Sequence, residues 1–224
     1  MATLETEASQ TRGGYMKVLV LGATGGTGRE VVAQAAEQSH TVTVLVRHPE
    51  RLDSADSKIR VLTGDVTDGG TALKAAVAGQ DVVISTLGVG NSLKSNGLIA
   101  RSAPSIANAM ASQGVRRLIF VSAYGVGSTR QNAPLLPRIL MGLLLGDLYR
   151  DKEAGERYIV RSDLDWTIVY PVSLTNGPRT GQYRVAECID LHGFPRVSRA
   201  DVAHFLLSQI RDAHYLRKGV IISS

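Results

Sequence analysis

A glycine-rich turn between a strand and a helix is the feature that most constrains the fold of this chain. The apolar run at residues 17–22 ends in Gly22, and Gly25 and Gly28 follow where a helical pattern begins. The first glycine permits a tight turn, the second lets a backbone approach a pyrophosphate, and the third allows close packing of helix on strand. This order predicts a dinucleotide-phosphate site, the alternative being a turn without a ligand. The residues predicted to hold the dinucleotide here are Gly22, Thr24, Gly25, Gly26, Thr27 and Gly28.

Runs rich in valine and isoleucine recur along the chain, with helical stretches between them. Such alternation is typical of a parallel sheet covered on both faces. We therefore predict an α/β fold, a doubly wound parallel sheet of the Rossmann type, in a single domain over residues 15–224. Residues 1–14 are predicted to be a disordered tail, and the irregular region at about 173–197 is the expected substrate region. The predicted strands are 17–22, 41–46, 59–62, 81–85, 117–121, 166–170 and 219–222, and the predicted helices are 27–38, 71–78, 97–113, 135–161 and 198–212.

The composition argues against several classes of function. The formal net charge is +5, but lysine and arginine are scattered, so we expect no nucleic-acid partner. The single cysteine, Cys188, and the five histidines show no metal-ligand spacing, so we expect no metal and a cytoplasmic location. The apolar segment 134–149 is too short and too interrupted to span a membrane. Its leucine-rich stripe at 135–145 is expected to be core, a substrate-pocket wall or a dimer contact, in a monomer or homodimer.

The end of the second predicted strand indicates which dinucleotide binds. The strand ends in Val46, Arg47 and His48. Sites selective for NAD place an acidic residue here against the ribose hydroxyls, whereas an arginine accommodates the 2′-phosphate of NADP. Arg47 therefore predicts NADPH as the cofactor, unless it is a solvated surface residue.

The ends of the next two strands are expected to complete the adenosine half of the cofactor site. Asp65 and Val66 end the third strand near the adenine, and the Asp65 carboxylate can accept a hydrogen bond from the adenine amine. Thr86, Leu87 and Gly88 end the fourth strand beside the ribose. Alternatively, Asp65 caps the following turn and Gly88 only ends its strand.

Several of these segments together resemble one family. The glycine turn, the Arg47 strand end, Val121-Ser122-Ala123 and the run Ser-Asp-Leu-Asp-Trp-Thr-Ile-Val-Tyr-Pro at 162–171 are similar to atypical short-chain dehydrogenases. Within that group the chain resembles NmrA-like proteins and the flavin reductases also called biliverdin reductase B. The resemblance implies NADPH-dependent reduction of a planar acceptor such as a flavin, quinone, or aromatic or polyketide ketone. Two alternatives stay open: an NADP-binding regulator or sensor without turnover, and an oxygenase-like tailoring protein of an aromatic polyketide pathway.

The resemblance also implies a set of catalytic residues. Ser122 matches the family's active-site serine, and Lys152 with Glu156 matches a Lys-x-x-x-Glu pattern in which the lysine binds the nicotinamide ribose. The alternative for that pair is a solvated ion pair on the helix surface. Tyr124 is either a proton donor or a pocket wall. The usual Tyr-x-x-x-Lys pair is missing from the sequence, since the tyrosine nearest Lys152 precedes it by three positions. Pro171 and Ser173 complete the predicted cofactor contacts. The flavin reductases carry a histidine about where Ser173 stands, so their handling of substrate is not carried over to this chain.

Overall fold

The central sheet has eight strands in the order β3-β2-β1-β4-β5-β6-β10-β8. The computed structural model describes residues 14–52, 59–90, 92, 94–132 and 135–224, and the side chains of all of these except 130–132 and 135–144. The strands are β1 (Lys17–Leu21), β2 (Thr41–Val46), β3 (Arg60–Thr63), β4 (Val82–Ser85), β5 (Arg117–Val121), β6 (Asp165–Pro171), β7 (Ser173–Thr175), β8 (Arg184–Ala186), β9 (Arg196–Ser198) and β10 (Lys218–Ser223). The helices are α1 (Gly26–Glu37), α2 (Thr71–Val77), α3 (Leu98–Ser112), α4 (Leu135–Arg161) and α5 (Arg199–Ser208).

The predicted doubly wound parallel sheet is confirmed, with one antiparallel strand at its edge. Every neighbouring pair from β3 to β10 is parallel, and only β8 pairs antiparallel, with Ile222 opposite Val185. The helices form two groups, α1 with α5, and α2 and α3 with α4. Apolar residues of the central strands, such as Leu19, Ile84 and Phe120, have no exposed surface, as expected of strands covered on both faces.

The strand order places the site. From β1 the chain adds β2 and β3 on one side and β4, β5 and β6 on the other, so the order reverses between β1 and β4. Ligands of open α/β sheets bind in the crevice at the carboxyl ends of the strands beside such a reversal. The glycine turn follows β1, and Ser122 follows β5, so both lie at this edge.

The last predicted helix was too long, since α5 ends at Ser208. Gln209 N–H is shared between the carbonyls of Phe205 and Leu206, and Ile210 N–H donates only three residues back, to Leu207 O, which tightens the chain into a turn. The predicted tail at 1–14 lies outside the described residues except for Gly14, and the side chains of most of the leucine stripe at 135–145 lie outside them as well.

The expected substrate region is less irregular than predicted, because it is tied to α5 by one buried carboxylate. Strand β7 pairs with β9 in parallel. Asp201, 1% exposed, accepts hydrogen bonds from Thr180 N at 2.8 Å, Gly181 N at 2.8 Å and Thr180 Oγ1 at 2.9 Å. Ser198 Oγ accepts from Asp201 N at 2.9 Å, which confirms the predicted start of the helix. The first turn of α5 therefore holds the loop that follows β7.

Replacing Asp201 by alanine should lower the free energy of unfolding by about 2–4 kcal/mol, because several donors lose their acceptor at about 1–3 kcal/mol each, part of which water restores. Chemical denaturation at neutral pH measures the change. Asp190→Ala is the matched control: its carboxylate is 87% exposed, and its loss should change stability by less than about 0.5 kcal/mol. An equally small effect at Asp201 would contradict the anchoring role.

The same comparison should depend on pH. Burial raises the pKa of Asp201, but hydrogen bonds from Gly181, Ser198 and Thr180 outweigh burial and hold the pKa below its usual value. A carboxyl whose pKa is lower in the folded state stabilises fully above its unfolded pKa of about 4, and the contribution disappears as pH falls through the folded value. The stability difference between wild type and Asp201→Ala should therefore shrink in acid.

Candidate active site

The glycine turn is closed on one side and open on the other. Gly22 has φ +86°, and a Cβ there would lie 2.8 Å from the carbonyl carbon of Thr86, so only glycine fits. A Cβ on Gly28 would lie 2.1 Å from Gly22 O. At the exposed Gly25, by contrast, a Cβ would meet only Gly22 O, at 3.3 Å. The open side of the turn therefore lies at Gly25.

The start of α1 suits a phosphate. Gly25 is the N-cap of α1 and provides no side-chain cap, so the first N–H groups of the helix point to whatever lies in front of the turn. These donors and the helix dipole favour an anion there. A side chain at Gly25 would fill the same space, so the residues present fit a pyrophosphate.

Thr86 fastens the turn to the neighbouring strand. Its backbone N–H donates to Leu21 O at 2.8 Å, and its hydroxyl lies 3.0 Å from Leu21 O and 3.3 Å from Gly22 O. The prediction placed Thr86 beside a ribose, together with Leu87 and Gly88. The structure places all three at the reversal of the strand order, with the Thr86 hydroxyl already used to hold the turn.

A positively charged corner lies at the end of β2. Arg47 is 64% exposed, and its Nη1 lies 4.0 Å from Asp65 Oδ2. Arg29, on α1, donates from Nε to Thr24 O at 3.1 Å and from Nη2 to Arg51 O at 3.2 Å. It thereby joins the glycine turn to the short 3-10 helix after β2. The sequence analysis missed Arg29, although its place directly after the third glycine was a usable signal.

Asp65 caps the turn that follows it. Its Oδ1 accepts from Thr67 N and Thr67 Oγ1, both at 2.8 Å. Burial raises the pKa of Asp65, but the bonds from Thr67 and the charges of Arg47 and Arg101 outweigh burial and lower the pKa. Asp65 Oδ1 therefore caps the following turn, which is the alternative to the adenine contact. Val66, next along the chain, is buried.

Ser122 belongs to a buried polar cluster. It is 5% exposed, its N–H donates to Val169 O at 2.8 Å, and its hydroxyl donates to Glu156 Oε1. Tyr170 OH donates to the other carboxyl oxygen, Oε2, at 3.0 Å. Glu156 is only 3% exposed, so the alternative of a solvated ion pair on the helix surface is wrong for this residue.

Burial controls the electrostatics of this cluster. It raises the pKa of Glu156 to about 7, against the hydrogen bonds from Ser122 and Tyr170 and the charge of Lys152, which lower it. Burial lowers the pKa of the Lys152 ammonium, against the charges of Glu156 and Asp151. Tyr170 is shifted well above its ordinary pKa, first by burial and then by the Glu156 charge. Such shifts are typical of functional sites.

The other predicted residues lie around this cluster. Lys152 stands one turn before Glu156 on α4 and is half-buried. Tyr124 follows Ser122 and donates from its backbone N–H to Pro171 O at 3.0 Å; burial raises the pKa of its phenol. Pro171 is buried at the end of β6, and Ser173 is exposed at the start of β7.

Arg199 is a further residue that the sequence analysis missed. It is the first residue of α5, and a Cβ on Gly26 would lie 2.7 Å from its Cδ and 2.8 Å from its Nε. Its Nη1 donates to Asn176 Oδ1 at 2.6 Å. Arg199 therefore lies against the first residue of α1. Only the long-range packing of α5 on α1 brings the two together, and no local pattern reports it.

Across the described ranges, no group of three or more His, Cys, Asp or Glu residues could hold a metal ion. None of the helices, in the part of the chain that is described, is long and apolar enough to cross a membrane.

Comparison with known proteins agrees with this geometry. A family described as NAD(P)H-binding matches residues 22–213. An uncharacterized chloroplastic protein of Arabidopsis thaliana is 32% identical over 173 residues, which are 74% of this chain and 61% of that protein, so the chain spans about three fifths of that relative's length. The anaerobillin reductase ChuY of Escherichia coli O157:H7 has a TM-score of 0.76 at 23% identity, covering 92% of this chain and 96% of ChuY. A short-chain dehydrogenase/reductase of Veillonella parvula in complex with NADP has a TM-score of 0.75 at 22% identity, covering 94% and 95%.

Two valine substitutions separate the binding role of the turn from its structural role. Gly25→Val should abolish binding of the nicotinamide cofactor and leave the fold intact, because the new side chain occupies the open side of the turn. Gly28→Val should instead destabilise the fold, because its Cβ would overlap Gly22 O. Fluorescence titration with the reduced cofactor and thermal unfolding measure the two effects. Unchanged affinity in a folded Gly25→Val protein would show that the turn binds nothing.

Proposed function

The chain belongs to the NAD(P)H-binding family, and on that premise we propose that it is an NADPH-dependent reductase of a planar acceptor. The acceptor would be a flavin, a quinone, or an aromatic or polyketide ketone. The observation that carries the proposal is the buried Ser122–Glu156 pair at the carboxyl end of β5. It places a hydroxyl and a titrating carboxyl at the edge of the sheet that bears the glycine turn. The reductase activity of ChuY, a protein of the same fold, lends support.

The proposed cofactor site runs along this edge. The turn at 22–28 would hold the pyrophosphate, with Arg199 as a neighbouring positive charge, and Arg47 would bind the 2′-phosphate. Asp65 and Val66 would border the adenine, and Lys152 would bind the nicotinamide ribose. When bound, NADPH supplies the hydride. The residues in the proposed contact set are Gly22, Thr24, Gly25, Gly26, Thr27, Gly28, Arg47, Asp65, Val66, Thr86, Leu87, Gly88, Ser122, Lys152, Pro171 and Ser173.

The preference for NADPH over NADH rests on the corner at β2. Arg47 is largely exposed, and its nearest carboxylate, that of Asp65, lies 4.0 Å away. This carboxylate orients the guanidinium without forming a tight ion pair, so the guanidinium can still donate to a phosphate. Arg29 keeps the neighbouring Arg51 segment fixed to the glycine turn through two carbonyls. A guanidinium suits a phosphate because it donates in a rigid, bidentate geometry.

The proposed catalytic part of the site needs few groups. Hydride transfer depends chiefly on alignment of the acceptor with the nicotinamide. Ser122 would orient the acceptor oxygen, and Tyr124 would line the pocket or donate a proton. The missing Tyr-x-x-x-Lys pair sets this site apart from the main dehydrogenase branch. That absence also keeps a non-catalytic NADP sensor as a second candidate, distinguished by whether NADPH is consumed in the presence of flavins and quinones.

Arg47→Asp should raise the NADPH dissociation constant about 10- to 100-fold, because a charge-assisted contact worth about 1.5–3 kcal/mol is lost. NADH, which lacks the 2′-phosphate, should lose little. Arg199→Ala is the comparison variant: it removes one positive charge near the pyrophosphate and should weaken both cofactors alike. Fluorescence titrations with both cofactors measure this. Equal dissociation constants for NADPH and NADH in the wild type would contradict the assignment of Arg47.

Ser122→Ala should lower kcat about 10- to 1000-fold, the range for loss of one positioned hydrogen-bond donor. NADPH affinity should change little, because the glycine turn and Arg47 provide it. Lys152→Ala should act mainly in the opposite way and raise the NADPH dissociation constant. Steady-state rates with one active acceptor and binding titrations give both numbers. Full turnover in Ser122→Ala would show that the acceptor is held elsewhere.

A further inference from the structure

Reduction by hydride transfer also consumes a proton, and a buried site must obtain it from somewhere. We propose that Glu156 is the proton reservoir of this site: it passes a proton to Ser122 at the acceptor and is refilled through Tyr170 and Ser128 from a cavity behind α4. This inference rests on the proposed reductase function. It assigns a role to the carboxyl that cofactor binding and hydride alignment leave unused.

The two oxygens of the Glu156 carboxyl face different partners. Oε1 accepts from the Ser122 hydroxyl, at the end of β5. Oε2 accepts from Tyr170 OH at 3.0 Å, and Tyr170 OH in turn lies 3.5 Å from Ser128 Oγ. The hydroxyl and carboxyl groups thus form a continuous chain with Glu156 at its centre. Each member can both donate and accept once Glu156 is neutral.

The far end of the chain opens into a cavity. This cavity, of about 560 Å³, lies between α4 and strands β6 and β10, and Gly127, Ser128, Glu156 and Tyr170 contribute to its lining. Glu187 and Lys218 also line it, and they form an ion pair of 2.9 Å with side chains 58% and 41% exposed. The cavity therefore reaches solvent on the side of β10, away from the end of β5 where Ser122 lies.

The surroundings of Glu156 keep both of its protonation states available. Lys152 and Glu153 face it from α4, Tyr170 from β6, and Ser122 from the end of β5. Burial raises the pKa of Glu156 to about 7 even against the hydrogen bonds and the lysine charge. A proton donor is most effective when its pKa lies near the working pH. A carboxyl with an ordinary pKa would be deprotonated at neutral pH and could not donate a proton.

NADPH, when bound, would supply the hydride, and the acceptor oxygen or nitrogen that is left with an electron pair would then need one proton. That atom takes the Ser122 hydroxyl proton while Ser122 takes the proton of neutral Glu156. The resulting carboxylate takes a proton from Tyr170, which is restored through Ser128 from water in the cavity. The acceptor gains one hydride and one proton, and one water-derived proton is consumed.

The first test needs neither cofactor nor acceptor. In the wild type, the infrared C=O stretch of a neutral carboxyl should titrate with a midpoint near pH 7, and Glu156→Gln should abolish that signal. Tyr170→Phe should move the midpoint to higher pH, because the Tyr170 hydrogen bond lowers the Glu156 pKa. A carboxyl spectrum that Glu156→Gln leaves unchanged near neutral pH would overturn the proposal.

The second test measures turnover of one active acceptor against pH. The wild-type kcat should fall as pH rises through about 7, because the neutral carboxyl is depleted. Glu156→Gln should lower kcat about 100-fold or more and remove this pH dependence, without changing NADPH affinity. Tyr170→Phe should move the fall of kcat to higher pH and increase the solvent deuterium isotope effect on kcat. Asp163→Asn, which changes an exposed carboxyl that does not line this cavity, should behave as wild type.

The outcomes separate this inference from the proposed function. If Glu156→Gln only disturbed packing, it would lower kcat at every pH and leave the fall of kcat near pH 7 in place. That result would overturn the reservoir. Turnover that does not depend on pH, with the infrared titration intact, would overturn the reservoir and leave the reductase standing. If the wild-type protein fails to oxidise NADPH with every flavin and quinone tested, both the reservoir and the proposed reductase function are contradicted.

Discussion

The close approach of the glycine turn to β4 is the constraint on which the rest of the site depends. Gly22 adopts a positive φ in a space where any Cβ would strike Thr86, and Thr86 in turn bonds back to the end of β1. This contact fixes the direction in which the chain leaves β1. It thereby fixes the axis of α1, the position of its free N–H groups, and the crevice between the two halves of the sheet.

Much of the fold was predictable because its information is local. The strands from β1 to β6 and β10 are apolar runs bounded by turn residues, and the helices between them follow the helical period. Their bounds are confirmed within one or two residues, except at the end of α5. Strands β7, β8 and β9 were not predicted. They are three residues each and exist only through pairing with distant segments, such as β8 with β10, that no local pattern encodes.

Less of the candidate site than of the fold was predictable from the sequence. The glycine turn has a position set by sequence, and the structure gives each glycine a steric reason. The spacing of Lys152 and Glu156 shows that they share a helix face, but not whether that face packs inward, so the burial of Glu156 was missed. The partner Tyr170 was missed for a related reason. A strand-end tyrosine beside a helix glutamate follows only from how α4 lies on β6.

The first turn of α5 contacts two regions of the proposed site at once. Arg199 lies against Gly26 at the proposed phosphate site, and Asp201, two residues later, holds Thr180 and Gly181 in the expected substrate region. A displacement of this one helical turn would therefore alter both contacts. Thermodynamic linkage makes any such influence reciprocal. If the turn at 22–28 holds the dinucleotide and the loop at 180–181 borders the acceptor, as proposed, binding of the two molecules would be linked through this one turn of α5.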